Sequence, residues 1–183
     1  MMPRDVGLVL GHTGAGSGDR VLDAGTGSGV LAAYLGRVGA SVVTYERDPG
    51  FAAVARENMA TAGIADRVDV RTGDVREDLD DLAGTDETAD DDGSTQDSGG
   101  FDALTLDTED APAIVERAPE LLVPGGFVAV YSPFVEHTRE VVEAAREAGL
   151  SGLATSVARD PRRPASATPA TSPSGATPAG PIR

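Results

Sequence analysis

Short apolar runs alternate along this chain with longer amphipathic segments. The apolar and β-branched runs predict strands at residues 20–23, 41–46, 68–71, 101–107 and 127–131. The segments between them predict helices at residues 4–11, 28–38, 49–62, 112–122 and 136–148. Strands that alternate with helices are typical of an α/β fold, so we expect a doubly wound, mostly parallel sheet with helices on both faces.

Two stretches lie outside this alternation. Residues 77–100 hold ten acidic residues and no basic one, and we expect them to form an acidic, mobile insertion. Residues 158–183 are rich in Pro, Ala, Ser and Thr and cannot bury apolar surface, so we expect a disordered tail. One domain would then cover residues 1–157. We expect the C-terminal strands of its sheet to be incomplete, because after the last predicted helix only residues 151–157 could form a further strand.

The first predicted strand runs into a turn that is almost free of side chains, Asp-Ala-Gly-Thr-Gly-Ser-Gly at residues 23–29. A phosphate-binding P-loop would require Gly-Lys-Ser/Thr, but the chain contains no lysine. The dinucleotide fingerprint G-x-G-x-x-G would require glycine at position 30, where Val30 stands. The remaining pattern, an acidic residue followed by G-x-G-x-G, is typical of S-adenosylmethionine-dependent methyltransferases. We therefore expect a Rossmann-like class I methyltransferase fold.

An acidic residue at the end of the next strand supports this interpretation. Glu46 closes the run Ser-Val-Val-Thr-Tyr about twenty residues after the loop. In an open α/β sheet this position overhangs the carboxyl ends of the strands, where ligands bind. A carboxylate there can accept both ribose hydroxyls of an adenosine, although a solvated glutamate at a strand end is the alternative.

Composition excludes several classes of protein. The chain has no cysteine and only two histidines, His12 and His137, far apart in sequence, so we expect no disulfide and no metal site. No apolar run approaches membrane-spanning length and the first residues do not resemble a signal peptide, which predicts a cytoplasmic protein. Thirty acidic residues face fifteen basic ones, all arginine. This balance is typical of proteins from salt-accumulating organisms, whose cytoplasm screens charge within about 3 Å.

Several segments closely resemble the tRNA (adenine-N1)-methyltransferases that modify the T-loop, above all the archaeal branch that acts on adenines 57 and 58. The matching segments are residues 2–5, 13–14, 18–29, 45–47, 55–58, 74–76, 106–107 and 131–133. The resemblance extends over residues 2–149. It implies tRNA as substrate and a homo-oligomer, in that family a tetramer. Family members also carry an N-terminal β-rich domain for which this chain has no counterpart, so we expect a truncated version.

The resemblance also implies roles for single residues. S-adenosylmethionine would be lined by the loop residues Gly25, Thr26, Gly27, Ser28 and Gly29, and Glu46 would hold its ribose. Asp74 and the backbone of Val75 would contact its adenine, and Asp107 would lie beside it. Asp107 would be the catalytic carboxylate, aimed at the amino group of the acceptor adenine. Arg4 and Tyr131 are candidate substrate contacts.

Two alternatives stay open at this point. The same fold serves small-molecule and protein methyltransferases, such as corrinoid-pathway and isoaspartyl enzymes. A catalytically impaired, cofactor-binding fragment is the other alternative.

Overall fold

The computed structural model describes residues 1–84 and 100–156. Its centre is a sheet of five parallel strands in the order β3-β2-β1-β4-β5. The strands are β1 (Arg20–Ala24), β2 (Ser41–Glu46), β3 (Val68–Thr72), β4 (Phe101–Leu106) and β5 (Leu122–Val130). The helices are α1 (Pro3–Thr13), α2 (Val30–Val38), α3 (Pro49–Ala62), α4 (Leu79–Ala83), α5 (Ala111–Glu116), α6 (Ala118–Leu121) and α7 (Val135–Glu147). The expected doubly wound architecture is confirmed.

Hydrophobic cores lie on both faces of the sheet. In the central strand β1, Val21 packs into one core and Leu22 into the other, and both are fully buried. The first core includes Leu35 of α2 and Met59 of α3. The second is formed with residues of α4 to α7, among them Ile114. Successive residues of a strand point to opposite faces, which explains why the inner strands are continuously apolar rather than alternating.

The order of the strands fixes where a ligand can bind. The chain moves outward from β1 through β2 to β3, then returns to the other side of β1 with β4 and β5. The connections that follow β1 and β4 therefore diverge to opposite faces and leave a crevice at the carboxyl ends of these strands.

The helix predicted at 112–122 is found as two short helices rather than one. The structure breaks it at Arg117 into α5 and α6, and Leu122 already has extended backbone. Pro119 lacks the amide hydrogen that a continuous helix would bond to the carbonyl four residues earlier, which disfavours an unbroken helix. β5 therefore starts five residues earlier than predicted, with an irregular register between Phe101 and Ala103 of the neighbouring strand.

The acidic stretch predicted to begin at residue 77 is ordered at its start. Leu79 and Leu82, three residues apart in α4, are buried in the core, and this burial holds the short helix in place. Residues 85–99 of the predicted insertion lie outside the described residues, as does the predicted tail at 158–183. Residues 151–156 form no strand, so β5 is an edge of the sheet in the part of the chain described.

Candidate active site

The glycine loop between β1 and α2, residues 25–29, disfavours larger residues at its first and last positions. Gly25, Gly27 and Gly29 have φ angles of 95°, 54° and 82°, which side-chain-bearing residues rarely adopt. A Cβ on Gly25 would lie 2.2 Å from the carbonyl oxygen of Asp107, and one on Gly29 would lie 2.5 Å from Cε of Met59. The loop therefore passes in close contact between α3 and the residue that follows β4.

Neighbouring elements hold this loop by its backbone. The amides of Gly25 and Thr26 both donate to the carbonyl of Tyr45 in β2, at 3.0 and 3.2 Å. From α3, Nδ2 of Asn58 donates to the carbonyl of Ser28 at 2.8 Å. The loop conformation is thus set before any ligand binds, which lowers the entropic cost of binding.

Glu46 lies at the end of β2 with its carboxylate against the same loop. Its Oε2 accepts the amide of Gly27 at 2.7 Å, and its Oε1 accepts the amide of Asp48 at 3.0 Å. Each carboxylate oxygen has a second lone pair that these bonds leave available for a hydroxyl donor. A Cβ on Gly27 would meet nothing within 4 Å, so the loop is open at this glycine, whose amide bonds to the carboxylate. An acceptor pair next to an open glycine cradle suits the ribose end of a nucleoside.

A buried carboxyl network that was not predicted from the sequence lies beneath the loop. Asp23 is 1% exposed and accepts hydrogen bonds from the hydroxyls of Thr44 and Thr105, both at 2.6 Å. Thr44 also contacts the hydroxyl of Thr26 at 2.5 Å, which connects the network to the loop. Burial raises the pKa of Asp23 to about 6, although the two hydroxyl bonds oppose the rise. The register of the strands creates this network, because it places Thr44 and Thr105 on either side of Asp23.

Asp107 follows β4 and borders the crevice. Its amide donates to the carbonyl of Ala24 at 2.8 Å, and its own carbonyl packs against Gly25. The side chain is 31% exposed. Burial raises the pKa of this carboxyl; the amino group of Met1, 3.7 Å from Oδ2, opposes the rise and the negative charge of Asp5 adds to it. The structure therefore brings the backbone of the predicted catalytic residue against the glycine loop, as expected for residues at neighbouring strand ends.

Asp74, predicted to meet the cofactor's adenine, is part of an ion-pair cluster that sequence reasoning missed. Nη2 of Arg76 lies 2.6 Å from its Oδ2 and Nη2 of Arg47 lies 3.0 Å from the same oxygen. Both arginines also pair with Asp110, which follows β4. The hydrogen bonds from Arg76, with help from Arg47, hold the pKa of Asp74 below its usual range. The next residue, Val75, buries its side chain, and its carbonyl accepts the amide of Asp78.

The two candidate substrate contacts differ in position. Tyr131 directly follows β5, and its amide donates to the carbonyl of Leu106 at 2.8 Å, which places it beside Asp107. Arg4 lies on α1, with its Nε 3.5 Å from Oδ1 of Asp5. Within the described residues there is no group of three or more potential metal ligands and no helix long and apolar enough to cross a membrane.

Known proteins resemble the chain in both sequence and structure. Residues 21–126 match the family model described as a methyltransferase domain. The chain is 31% identical over 172 residues to the tRNA (adenine(57)-N(1)/adenine(58)-N(1))-methyltransferase of Methanocaldococcus jannaschii, covering 85% of this chain and 59% of that protein. A 72-residue stretch is 46% identical to a protein-L-isoaspartate O-methyltransferase of Methanoculleus marisnigri, covering 39% of this chain and 32% of that one.

A solved structure agrees with these sequence matches. The O-methyltransferase from Bacillus cereus in complex with SAH is 25% identical and has a TM-score of 0.57, over 81% of this chain and 68% of that one. The chain spans less than two thirds of the length of either sequence relative.

Proposed function

Because this chain belongs to the family of methyltransferase domains, we propose that it methylates N1 of an adenine in the T-loop of tRNA, at position 57 or 58. The observation that carries the proposal is the extent of the similarity to the tRNA enzyme, 85% of the chain. The match to the isoaspartyl enzyme covers only 39%. A shared cofactor loop would account for a short match, whereas a match over 85% of the chain also extends over β4 and β5.

The expected cofactor, S-adenosylmethionine, is confirmed by the family and by its ligand-bound structural relatives. The cofactor supplies a methyl group carried on a positively charged sulfur. The backbone of residues 25–29 would hold its methionine part, and Glu46 would accept its ribose hydroxyls. Asp74 and the backbone of Val75 would border the adenine ring. Methyl transfer is an in-line displacement, so the preformed loop would contribute chiefly by alignment.

Asp107 would act on the acceptor. N1 of adenine is neutral before transfer and becomes part of a cationic ring once methylated. A carboxylate that accepts a hydrogen bond from the adjacent amino group stabilises this developing positive charge. The half-buried position of Asp107 strengthens the effect, since charges interact more strongly where water is partly excluded. Activity should then fall on acidification, as the carboxyl takes up a proton and loses its charge.

Methyl transfer to a defined nucleoside tests the proposal. The purified chain is incubated with methyl-labelled S-adenosylmethionine and unmodified tRNA transcript in multimolar KCl, and the labelled nucleosides are identified. We expect label in N1-methyladenosine, and a loss of about 100-fold or more in the Asp107→Asn variant. Asp66→Asn, at an exposed turn before β3, is the matched control and should retain activity. Measurable cofactor binding without label in tRNA would overturn the proposal.

The second candidate is a protein methyltransferase, favoured by the 46% identity within its 72-residue match. An isoaspartyl peptide offered in the same assay distinguishes the two. Label in the peptide and none in tRNA would assign the chain to this second activity.

A further inference from the structure

The loop after β5, residues 131–134, lies beside the crevice and ends in an exposed aromatic ring. Its first residue, Tyr131, is hydrogen-bonded through its amide to Leu106, directly before Asp107. Its last residue, Phe134, is the N-cap of α7 and is 66% exposed. Ser, Thr, Asp and Asn are the favoured N-cap residues because their side chains accept backbone amides. Phenylalanine contributes no such bond, so capping does not explain its presence.

The backbone of Phe134 is held firmly although its ring is exposed. Its amide donates to Oγ of Ser132 at 3.3 Å. Its carbonyl accepts from Oγ of Ser132 at 3.0 Å, and from the amide and Oγ1 of Thr138 at 3.1 and 3.0 Å. A ring on a fixed backbone loses little conformational freedom when it contacts a partner, which is a property of aromatic anchors at binding surfaces.

His137 connects this loop to the loop that carries Asp107. Its Nδ1 lies 2.9 Å from Oγ of Ser132, and its Nε2 lies 3.2 Å from the carbonyl of Glu109. Glu109 is the second residue after Asp107 in the chain. The imidazole thus holds the exposed ring and the candidate catalytic carboxylate in neighbouring loops at the same end of the sheet.

We propose that Phe134 is a stacking surface for an unpaired base of the RNA acceptor. The inference rests on the proposed function. A base inside a stack cannot reach a buried crevice, so the acceptor must present its target unstacked, and aromatic rings commonly take up bases so exposed. The net charge of −15 limits attraction to phosphates. Stacking is uncharged, so it persists at the salt concentrations that the composition predicts.

The test compares two exposed phenylalanines. Phe134→Ala removes the ring beside the crevice, while Phe127→Ala removes a 50% exposed ring from β5. Phe127 pairs with Ala103, three residues before Leu106, so it lies roughly 10 Å toward the opposite end of the sheet. Measured quantities are kcat and KM for tRNA, the Kd for S-adenosylmethionine, and the Kd for a T-loop RNA hairpin in the absence of cofactor.

We expect Phe134→Ala to weaken hairpin binding and lower kcat/KM for tRNA by about 10- to 100-fold. The Kd for S-adenosylmethionine should stay unchanged, Phe134→Tyr should restore hairpin binding, and Phe127→Ala should behave as wild type. If the wild type methylates tRNA, and Phe134→Ala has the same hairpin affinity and kcat/KM as Phe127→Ala, the stacking role alone is overturned. Absence of tRNA methylation by the wild type overturns the proposed function instead. If the wild type does not methylate tRNA and Phe134→Ala binds the hairpin as tightly as the wild type does, the stacking role is overturned as well.

Discussion

Replacing Asp23 by Asn tests whether the carboxyl beneath the glycine loop destabilises the protein when it is ionised. The side chain is 1% exposed, and its hydrogen-bond partners are two neutral hydroxyls, those of Thr44 and Thr105. Burial raises its pKa from 3.8 to about 6. Asparagine has nearly the same size and can bond to both hydroxyls, but it cannot become charged. The variant therefore isolates the charge from the packing.

The sign of the effect follows from the two pKa values. A carboxyl with a pKa of 3.8 in the unfolded chain and about 6 in the folded one binds its proton more tightly when folded. Its contribution to the free energy of unfolding is complete below about pH 4 and is lost as the pH rises to about 6. The difference between the pKa values corresponds to about 3 kcal/mol, at about 1.4 kcal/mol per unit.

Urea unfolding followed by circular dichroism measures this contribution. Wild type and Asp23→Asn are compared between about pH 4 and 7 at constant, multimolar KCl, so that other acids titrate equally in both. Relative to wild type, the variant's free energy of unfolding should rise by about 2 kcal/mol from the lower to the upper end of this range, because part of the full difference is already lost at pH 4. The exposed Asp66→Asn variant should gain nothing. Parallel pH profiles for wild type and Asp23→Asn would refute the reasoning.

Three further outcomes are expected. Gly25→Ala should abolish detectable S-adenosylmethionine binding in calorimetry, since its Cβ would lie 2.2 Å from a backbone oxygen at a φ of 95°; an unchanged Kd would contradict the loop geometry. Glu46→Gln should raise the cofactor Kd about 10-fold by replacing one acceptor oxygen with a donor, and equal affinity in equilibrium dialysis would exclude the ribose role. The thermal midpoint of the wild type should rise between about 0.1 M and 2 M KCl, because salt screens a net charge of −15; a falling midpoint would contradict the halophilic interpretation.

Elements with local signals at both ends could be predicted from the sequence. The predicted bounds of α3 are confirmed because Asp48 caps the amides of Gly50 and Phe51, Pro49 follows the cap, and Gly63 ends the helix with a φ of 69°. α4 could not be predicted in this way. It consists of five residues in an acidic stretch, and only contacts with distant parts of the core bury Leu79 and Leu82.

In the candidate site, too, only the residues with a local sequence signal could be predicted. The glycine loop and Glu46 were predictable, since their spacing within one βαβ unit is a property of the local chain. The bonds of Asp23 to Thr44 and Thr105 depend on the register of three strands, which the sequence does not display. The ion pairs of Arg47 and Arg76 with Asp110 join loops that follow three different strands and likewise require the folded sheet.

Asp107 contacts the glycine loop through its backbone and carries the carboxylate that we propose acts on the acceptor. The backbone carbonyl of Asp107 lies against Gly25, while its carboxylate Oδ2 lies 3.7 Å from the amino group of Met1. Changing the side chain of Asp107 leaves this backbone contact intact, so Asp107→Asn should impair transfer and spare cofactor binding. A side chain at Gly25 would instead displace the Asp107 backbone, and both processes should fail together. The two variants thus separate a role in chemistry from a role in packing at the same contact.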